Sequence, residues 1–268
     1  MSQTSRSAGG QAPLLRLLPI GVAILGTAAA FAAAQALTPG RYATLLLERG
    51  WTQPVTVGLF FWGVGHALKR LWVQAMERRA LKICKVAFVR DPIQPHAAGP
   101  MIQQLEPHKD SLAGGVAAAV LSYFRSHRPT RDEVVDVAHK AMDQARDDVE
   151  LAYRPLNAVM WLLPLSGFVG TVLGMSAAIA SFDGVISSIA DNLSALAPSV
   201  QGLATAFDTT LLALVGVIPL KLMEVGLDAR DQRLVRSIDD ALGTGYVQRL
   251  DLAGIAQQSP LEAVLDRY

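Results

Sequence analysis

The sequence has a single cysteine, Cys84, which excludes an intrachain disulfide and any metal site built on cysteine pairs. Charged residues make up only 18% of the chain, and a formal net charge of +1 gives no basic surplus to hold a nucleic acid. Histidine is confined to the first 139 residues. All five, at 66, 96, 108, 127 and 139, precede Ser166-Gly167, a dipeptide that in an apolar run suggests an intramembrane serine protease. Such chemistry needs a base within reach of the serine, and these proteases place their histidine after it. No phosphate loop is present, and no His/Glu pair has metal-ligand spacing inside the apolar segments. The chain is therefore read as non-enzymatic, with no catalytic residue, cofactor or metal.

What the chain has in quantity is apolar length. A hydrophobic content of 51% and a mean hydropathy of +0.31 describe a polytopic membrane protein. Two segments, Trp161 to Phe182 and Gly202 to Leu222, are each long enough to cross a bilayer, which takes about 20 mostly apolar residues in a helix. Thr171, Thr205, Asp208, Thr209 and Thr210 lie inside them. On a helix, Gly167, Thr171, Gly174 and Ala178 share one stripe, and small residues on a stripe let a second helix approach closely in lipid. Gly167, Gly170 and Gly174 are assigned to this packing. Pro164 and Pro219 are read as kinks that free backbone carbonyls. In the second segment Ala206, Thr210, Ala213 and Val217 form one face, whereas Gln201, Thr205 and Asp208 lie nearly opposite Thr210.

Asp208 is the one carboxylate deep in a span, where a charge costs about 3 kcal/mol on insertion scales. Two roles are open to it: a protonated or hydrogen-bonded group tying helices together, or a group that binds or relays a cation. For Thr171 and Thr210 the simpler role is back-bonding to the carbonyl four residues earlier.

The apolar stretch from Leu14 to Leu37 follows Arg6 and resembles a secretory signal. Its length, and a second apolar run from Val55 to Val73, favour a retained helical hairpin. Lys69, Arg70, Arg78, Arg79, Lys82, Lys85 and Arg90 follow that hairpin, and by the positive-inside rule this flank is cytoplasmic. The link from Asp183 to Pro198 carries no Lys or Arg, as an outside link should. The expected architecture is all-α: four transmembrane helices with both termini inside, a cytoplasmic helical domain, and assembly as a ring. Its parts are an N-terminal tail over 1–13, a hairpin over 14–74 (helices 14–37 and 55–74), a cytoplasmic domain over 75–154, a channel-forming hairpin over 155–222 (helices 156–182 and 199–222), and a C-terminal helix and tail over 223–268. Within the cytoplasmic domain Pro92, Pro95, Pro100 and Pro107 mark a loop. Asp110 caps a helix over 111–127, and a further helix spans 131–153. After Pro219 an amphipathic helix keeps Asp228, Arg230, Asp231, Arg233 and Arg236 on its wet side.

The run P-L-S-G-F-V-G-T-V-L-G-M, Pro164 to Met175, resembles the second-last helix of the MotA/TolQ/ExbB family. The run G-L-A-T-A-F-D-T-T-L-L-A-L-V-G-V-I-P, Gly202 to Pro219, resembles its last helix, and Ala197-Pro198 stands between the two. In topology the chain looks more like MotA than like the three-span ExbB and TolQ. The resemblance implies an ion-conducting, stator-type motor subunit in the bacterial cytoplasmic membrane. A ring of five chains would surround two copies of a single-span partner similar to MotB, ExbD or TolR, and the partner's Asp would carry the proton. It also implies that Thr171 and Thr210 line the passage, with Asp208, Thr205 and Thr209 nearby. Hydroxyls serve Na⁺ as well as H⁺. The alternative from a different class is a non-conducting membrane scaffold that recruits a cytoplasmic partner.

Overall fold

A computed structural model of the chain describes residues 13–37, 51–87, 98–126, 130–186 and 197–243. Among these, every regular element is helical: α1 (Pro13–Leu37), α2 (Thr52–Ala87), α3 (Ala98–Leu105), a 3-10 turn (Glu106–His108), α4 (Leu112–Ser126), α5 (Arg131–Ile186) and α6 (Ala197–Ala241). Three of them contain an apolar run long enough to cross a membrane, within Leu15–Ala36, Arg131–Phe182 and Ala197–Ala241. The segments 38–50 and 187–196, the residues Pro92 and Pro95, and the tail beyond 243 lie outside the described residues.

The chain forms two compact units. One comprises residues 12–70 and 153–227 and holds the apolar segments Leu14 to Leu37, Trp161 to Phe182 and Gly202 to Leu222. Its core is Val159, Leu163 and Leu220, packed against Leu59, Phe60, Trp62, Val64, Met160 and Val217. Small residues bring the helices of this unit together: a Cβ on Gly63 would lie 2.8 Å from Leu220, and one on Gly65 would lie 2.6 Å from the Pro19 backbone. Arg70 stacks over the Tyr153 ring at 5.5 Å, a cation–π contact within the same unit.

The other described unit comprises 71–152 and the chain after 228. Val134, Ala138, Met142, Ala145 and Val149, spaced by three and four, are all buried along one face of α5, as helical period requires. Thr130 and Glu133 start that helix as a reciprocal cap. The Thr130 N–H donates to Glu133 Oε2 at 2.8 Å, and the Glu133 N–H donates to Thr130 Oγ1 at 3.4 Å.

Several sequence expectations are corrected here. The Pro100–Pro107 region is not a plain loop, because Pro100 sits in the first turn of α3, where no intrahelical N–H is needed. Ser111 caps α4 rather than Asp110: the Gly114 N–H donates to Ser111 Oγ at 3.1 Å, and Ser111 Oγ donates to the His108 carbonyl at 2.6 Å. No helix break occurs near 154, since α5 runs through both Pro155 and Pro164. Likewise α2 continues to Ala87 instead of stopping at 74, and α6 starts at Ala197 and passes Pro219 without interruption. Asp231 is fully buried, not on the wet side, because its spacing from Leu234 and Ile238 puts it on the apolar stripe.

Cys84 is buried, and both desolvation and the negative charge of Glu77 push its thiol above the ordinary value. Folding thus favours the neutral thiol. The stabilisation is full below the ordinary value and is lost as pH rises through the raised one. The pH profile of Cys84 alkylation should therefore have its midpoint above that of a small free thiol, and Glu77→Gln should lower it. A midpoint at the ordinary value, unmoved by Glu77→Gln, would contradict this.

Candidate functional site

Two helix segments of the apolar unit touch through their backbones. A Cβ on Gly174 of α5 would lie 2.7 Å from the Ala206 nitrogen and 2.8 Å from the Gly202 carbonyl oxygen of α6. On Gly167 it would meet Ala213 Cβ at 2.7 Å, and on Gly170 it would meet Thr209 Oγ1 at 2.4 Å. Seen from the other helix, a Cβ on Gly202 would lie 2.8 Å from the Ala178 nitrogen. Only glycine permits these approaches, since real side chains do not pack at such distances.

Thr171 and Thr210 meet across this contact, and their hydroxyls hydrogen-bond to each other. Thr171 Oγ1 also lies 3.2 Å from the Gly167 carbonyl on its own helix and 3.2 Å from the Ala206 carbonyl on α6. Thr210 Oγ1 repeats the arrangement, 3.3 Å from the Ala206 carbonyl of its own helix and 3.2 Å from the Gly167 carbonyl across the interface. The back-bonding role and the bridging role therefore coexist at the same oxygens. Each hydroxyl carries one proton and accepts others, so this group of four oxygens has more than one fully bonded arrangement. Both threonines remain half-buried. Oxygens that accept and donate by rotating a hydroxyl are suited either to passing a proton or to replacing water around a small cation.

Of the remaining expected site residues, Thr209 reaches this group through the shared Ala206 carbonyl, and Thr205 bonds elsewhere. The Thr205 hydroxyl donates to the Gln201 carbonyl of its own helix at 2.9 Å. Thr209 is fully buried against Gly170 and donates to the Ala206 carbonyl at 3.0 Å, which makes it part of the helix contact. Asp208 is half-buried on α6, on the strip opposite Thr210. Pro164 and Pro219 lie within α5 and α6.

Two further hydroxyl pairs join helices of this unit. Ser181 and Ser199 are 2.6 Å apart, and Thr56 of α2 lies 3.0 Å from Ser166 of α5. Ser166 donates to the Leu163 carbonyl at 2.7 Å, and its partners offer no base to activate a nucleophile.

Sequence reasoning missed Gln53. Its side chain is fully buried, and among the described residues neither Nε2 nor Oε1 has a hydrogen-bond partner. The signal was an amide in the first turn of an otherwise apolar helix.

Closely packed apolar helices that share hydroxyls between them are the build of a polytopic membrane protein. The model of the MotA/TolQ/ExbB proton channel family matches residues 103–240, and the chain belongs to that family. No curated protein and no solved structure matches it.

Gly174→Ala should force the helices apart at a cost of about 1–3 kcal/mol. Gly216→Ala, whose Cβ would meet Phe60 at an ordinary 3.4 Å, should be nearly neutral. Thermal unfolding in detergent compares the two, and equal effects would refute the backbone contact. In the same assay Gln53→Leu should be neutral or stabilising, because it removes a buried amide that has no partner among the described residues. Marked destabilisation would instead show that the amide is bonded.

Proposed function

We propose that the chain is the ion-conducting, stator-type subunit of a complex in the bacterial cytoplasmic membrane. With a single-span partner it couples proton or Na⁺ flow to mechanical work. The observation that carries this reading is the Thr171–Thr210 pair, bound to two carbonyls and held between glycine-packed helices of a family of proton channels.

Four spans with both termini inside fit the chain. Three correspond to the long apolar runs, and the fourth is the first part of α2. Residues 52–68 carry no Asp, Glu, Lys or Arg, and at about 1.5 Å per residue they extend about 25 Å. The basic residues from Lys69 onward then mark the cytoplasmic end, and the unit that follows is the cytoplasmic domain.

Exposure supports ring assembly. Trp161 is 81% exposed, Ile179 69% and Phe207 66%, and in a membrane such surfaces face either acyl chains or neighbouring subunits. One chain offers few membrane polar groups and cannot enclose a pathway alone, so several copies must close it. In the proposed complex five chains surround two partner helices similar to those of MotB, ExbD or TolR. The Thr171–Thr210 pair lies beside the passage, the partner's Asp carries the proton, and Asp208 lies at the subunit interface or along the path. The first hairpin, with Ile24 65% and Leu25 73% exposed, faces lipid.

Flux across liposomes containing the complex with its partner tests this. Thr210→Val should lower ion flux about tenfold, the size of one lost hydrogen bond near 1.4 kcal/mol, with assembly intact by size-exclusion chromatography. Unchanged flux in both Thr210→Val and Asp208→Asn would remove these residues from the pathway.

A further inference from the structure

In the unit that holds residues 71–152, the structure contains a second kind of site. A cavity of about 340 Å³ is lined by Leu71, Gln74, Ala75, Arg78, Arg79, Lys82 and Arg230. Four of the seven are cations and none is acidic. Among the described residues none of the four cations forms an ion pair. Nearby carboxylates are engaged elsewhere: Glu77 Oε2 accepts the Leu112 N–H at 2.9 Å, and Asp228 accepts the Gln232 amide at 2.7 Å. Four like charges around one cavity repel one another, so an anion with several acceptor oxygens stabilises the arrangement.

Position along the helices narrows the anion. A hydrocarbon core of about 30 Å takes about 20 residues of a helix, which from Thr52 ends near Leu71, and Arg78 lies seven residues beyond, about 10 Å along the axis. The polar zone of a bilayer adds about 5–7 Å on each side of the hydrocarbon. Side chains on a helix lean toward its N-terminus, and in α2 the N-terminal direction is the apolar one. The heads of Arg78, Arg79 and Lys82 thus reach back toward the headgroup layer, and Arg230 leans the same way along α6. Leu71 and Ala75 supply the apolar wall that an acyl glycerol backbone requires, which free phosphate has no use for. Trp72, half-exposed beside the cavity, has the amphipathic character of residues found at this depth.

We propose that this cavity binds the phosphate headgroup of an anionic phospholipid of the cytoplasmic leaflet. The proposal rests on the reading of α2 as a span whose basic end is cytoplasmic.

The test uses full-length protein that keeps Trp72 as its only tryptophan (W51F, W62F, W161F), reconstituted in bilayers of acyl-brominated lipids. Bromine quenches a tryptophan only when its lipid lies alongside. Brominated phosphatidylcholine should quench Trp72. Brominated phosphatidylglycerol should do so with an apparent preference of about fivefold or more, the size expected for a basic site at an anionic surface. Arg78→Gln with Arg79→Gln and Lys82→Gln should bring the preference to about one without losing the phosphatidylcholine signal. Inorganic phosphate at millimolar concentration should not compete. No quenching by either lipid overturns the span reading of α2 itself. Quenching without preference, or a preference that survives the triple substitution, overturns the headgroup site alone. Competition by free phosphate, or by an acidic peptide, reassigns the cavity to a soluble anion and overturns the lipid as its occupant.

Discussion

The backbone contact between α5 and α6 is the constraint on which the candidate site depends. In lipid, apolar burial gives no preference for a neighbouring helix over an acyl chain, so association rests on van der Waals contact and interhelical hydrogen bonds. Glycines at 167, 170, 174 and 202 supply the first by removing the Cβ on one side of each close contact. The second follows from it. Only when the helices are this close does the hydroxyl of Thr171 reach the Ala206 carbonyl, and that of Thr210 the Gly167 carbonyl, both at 3.2 Å. One methyl group at Gly174 would hold the backbones apart by more than those bonds can stretch, so packing and polar chemistry here are a single feature.

The same contact explains why so little of the apolar unit is buried within one chain. The apolar windows of the α5 and α6 runs are 28% and 17% buried, and that of α1 is 11%. The interhelical seams use small side chains, which leaves the large ones, such as Trp161, Phe168 and Leu222, directed outward. A water-soluble protein could not tolerate that surface, whereas a membrane protein can direct it to acyl chains. The other unit has the reverse distribution, with Leu121, Phe124 and Val134 fully buried and Arg131, Asp132 and Glu133 exposed around them.

Much of this was legible in the sequence because it rests on period and residue size. The spacing of Gly167, Thr171, Gly174 and Ala178 puts small groups and a hydroxyl on one stripe without knowledge of tertiary structure. The facing set of Ala206, Thr210 and Ala213 is equally local. What failed was punctuation. The sequence predicts separate helices over 131–153 and 156–182, yet one 56-residue α5 runs through Pro155, and Pro100 occupies a first turn that needs no donor rather than a loop; Pro164 lies inside its helix, as the sequence implies. Asp110 and Ser111 are both competent caps, and only the fold of the preceding 3-10 turn decides for Ser111. The burial of Gln53 was not legible either, because it depends on which neighbouring helix covers its face, whereas that of Asp231 was present in its spacing from Leu234 and Ile238. Thr209 shows the limit most plainly: next to Thr210 in sequence, it hydrogen-bonds a carbonyl of its own helix while its Oγ1 and Cβ fill the Gly170 contact.

The composition of the four-oxygen group bears on how conduction would work. Two hydroxyls and two carbonyls carry no net charge. They can replace part of a cation's hydration shell, or accept and release a proton, but they cannot offset a full positive charge in a medium of low dielectric constant. A fixed carboxylate among them would offset it, and would also hold the ion. A neutral group lowers the barrier without creating a trap, provided the countercharge comes from a group that moves or is shared. Asp208 lies on the opposite strip of the same helix, and among the described residues the hydrogen-bond partners of the hydroxyl pair include no carboxylate. An acid delivered by another helix, from a neighbouring copy or from a single-span partner, meets that need. It would also make ion passage conditional on where that helix stands, which is the coupling between flow and movement that a motor requires.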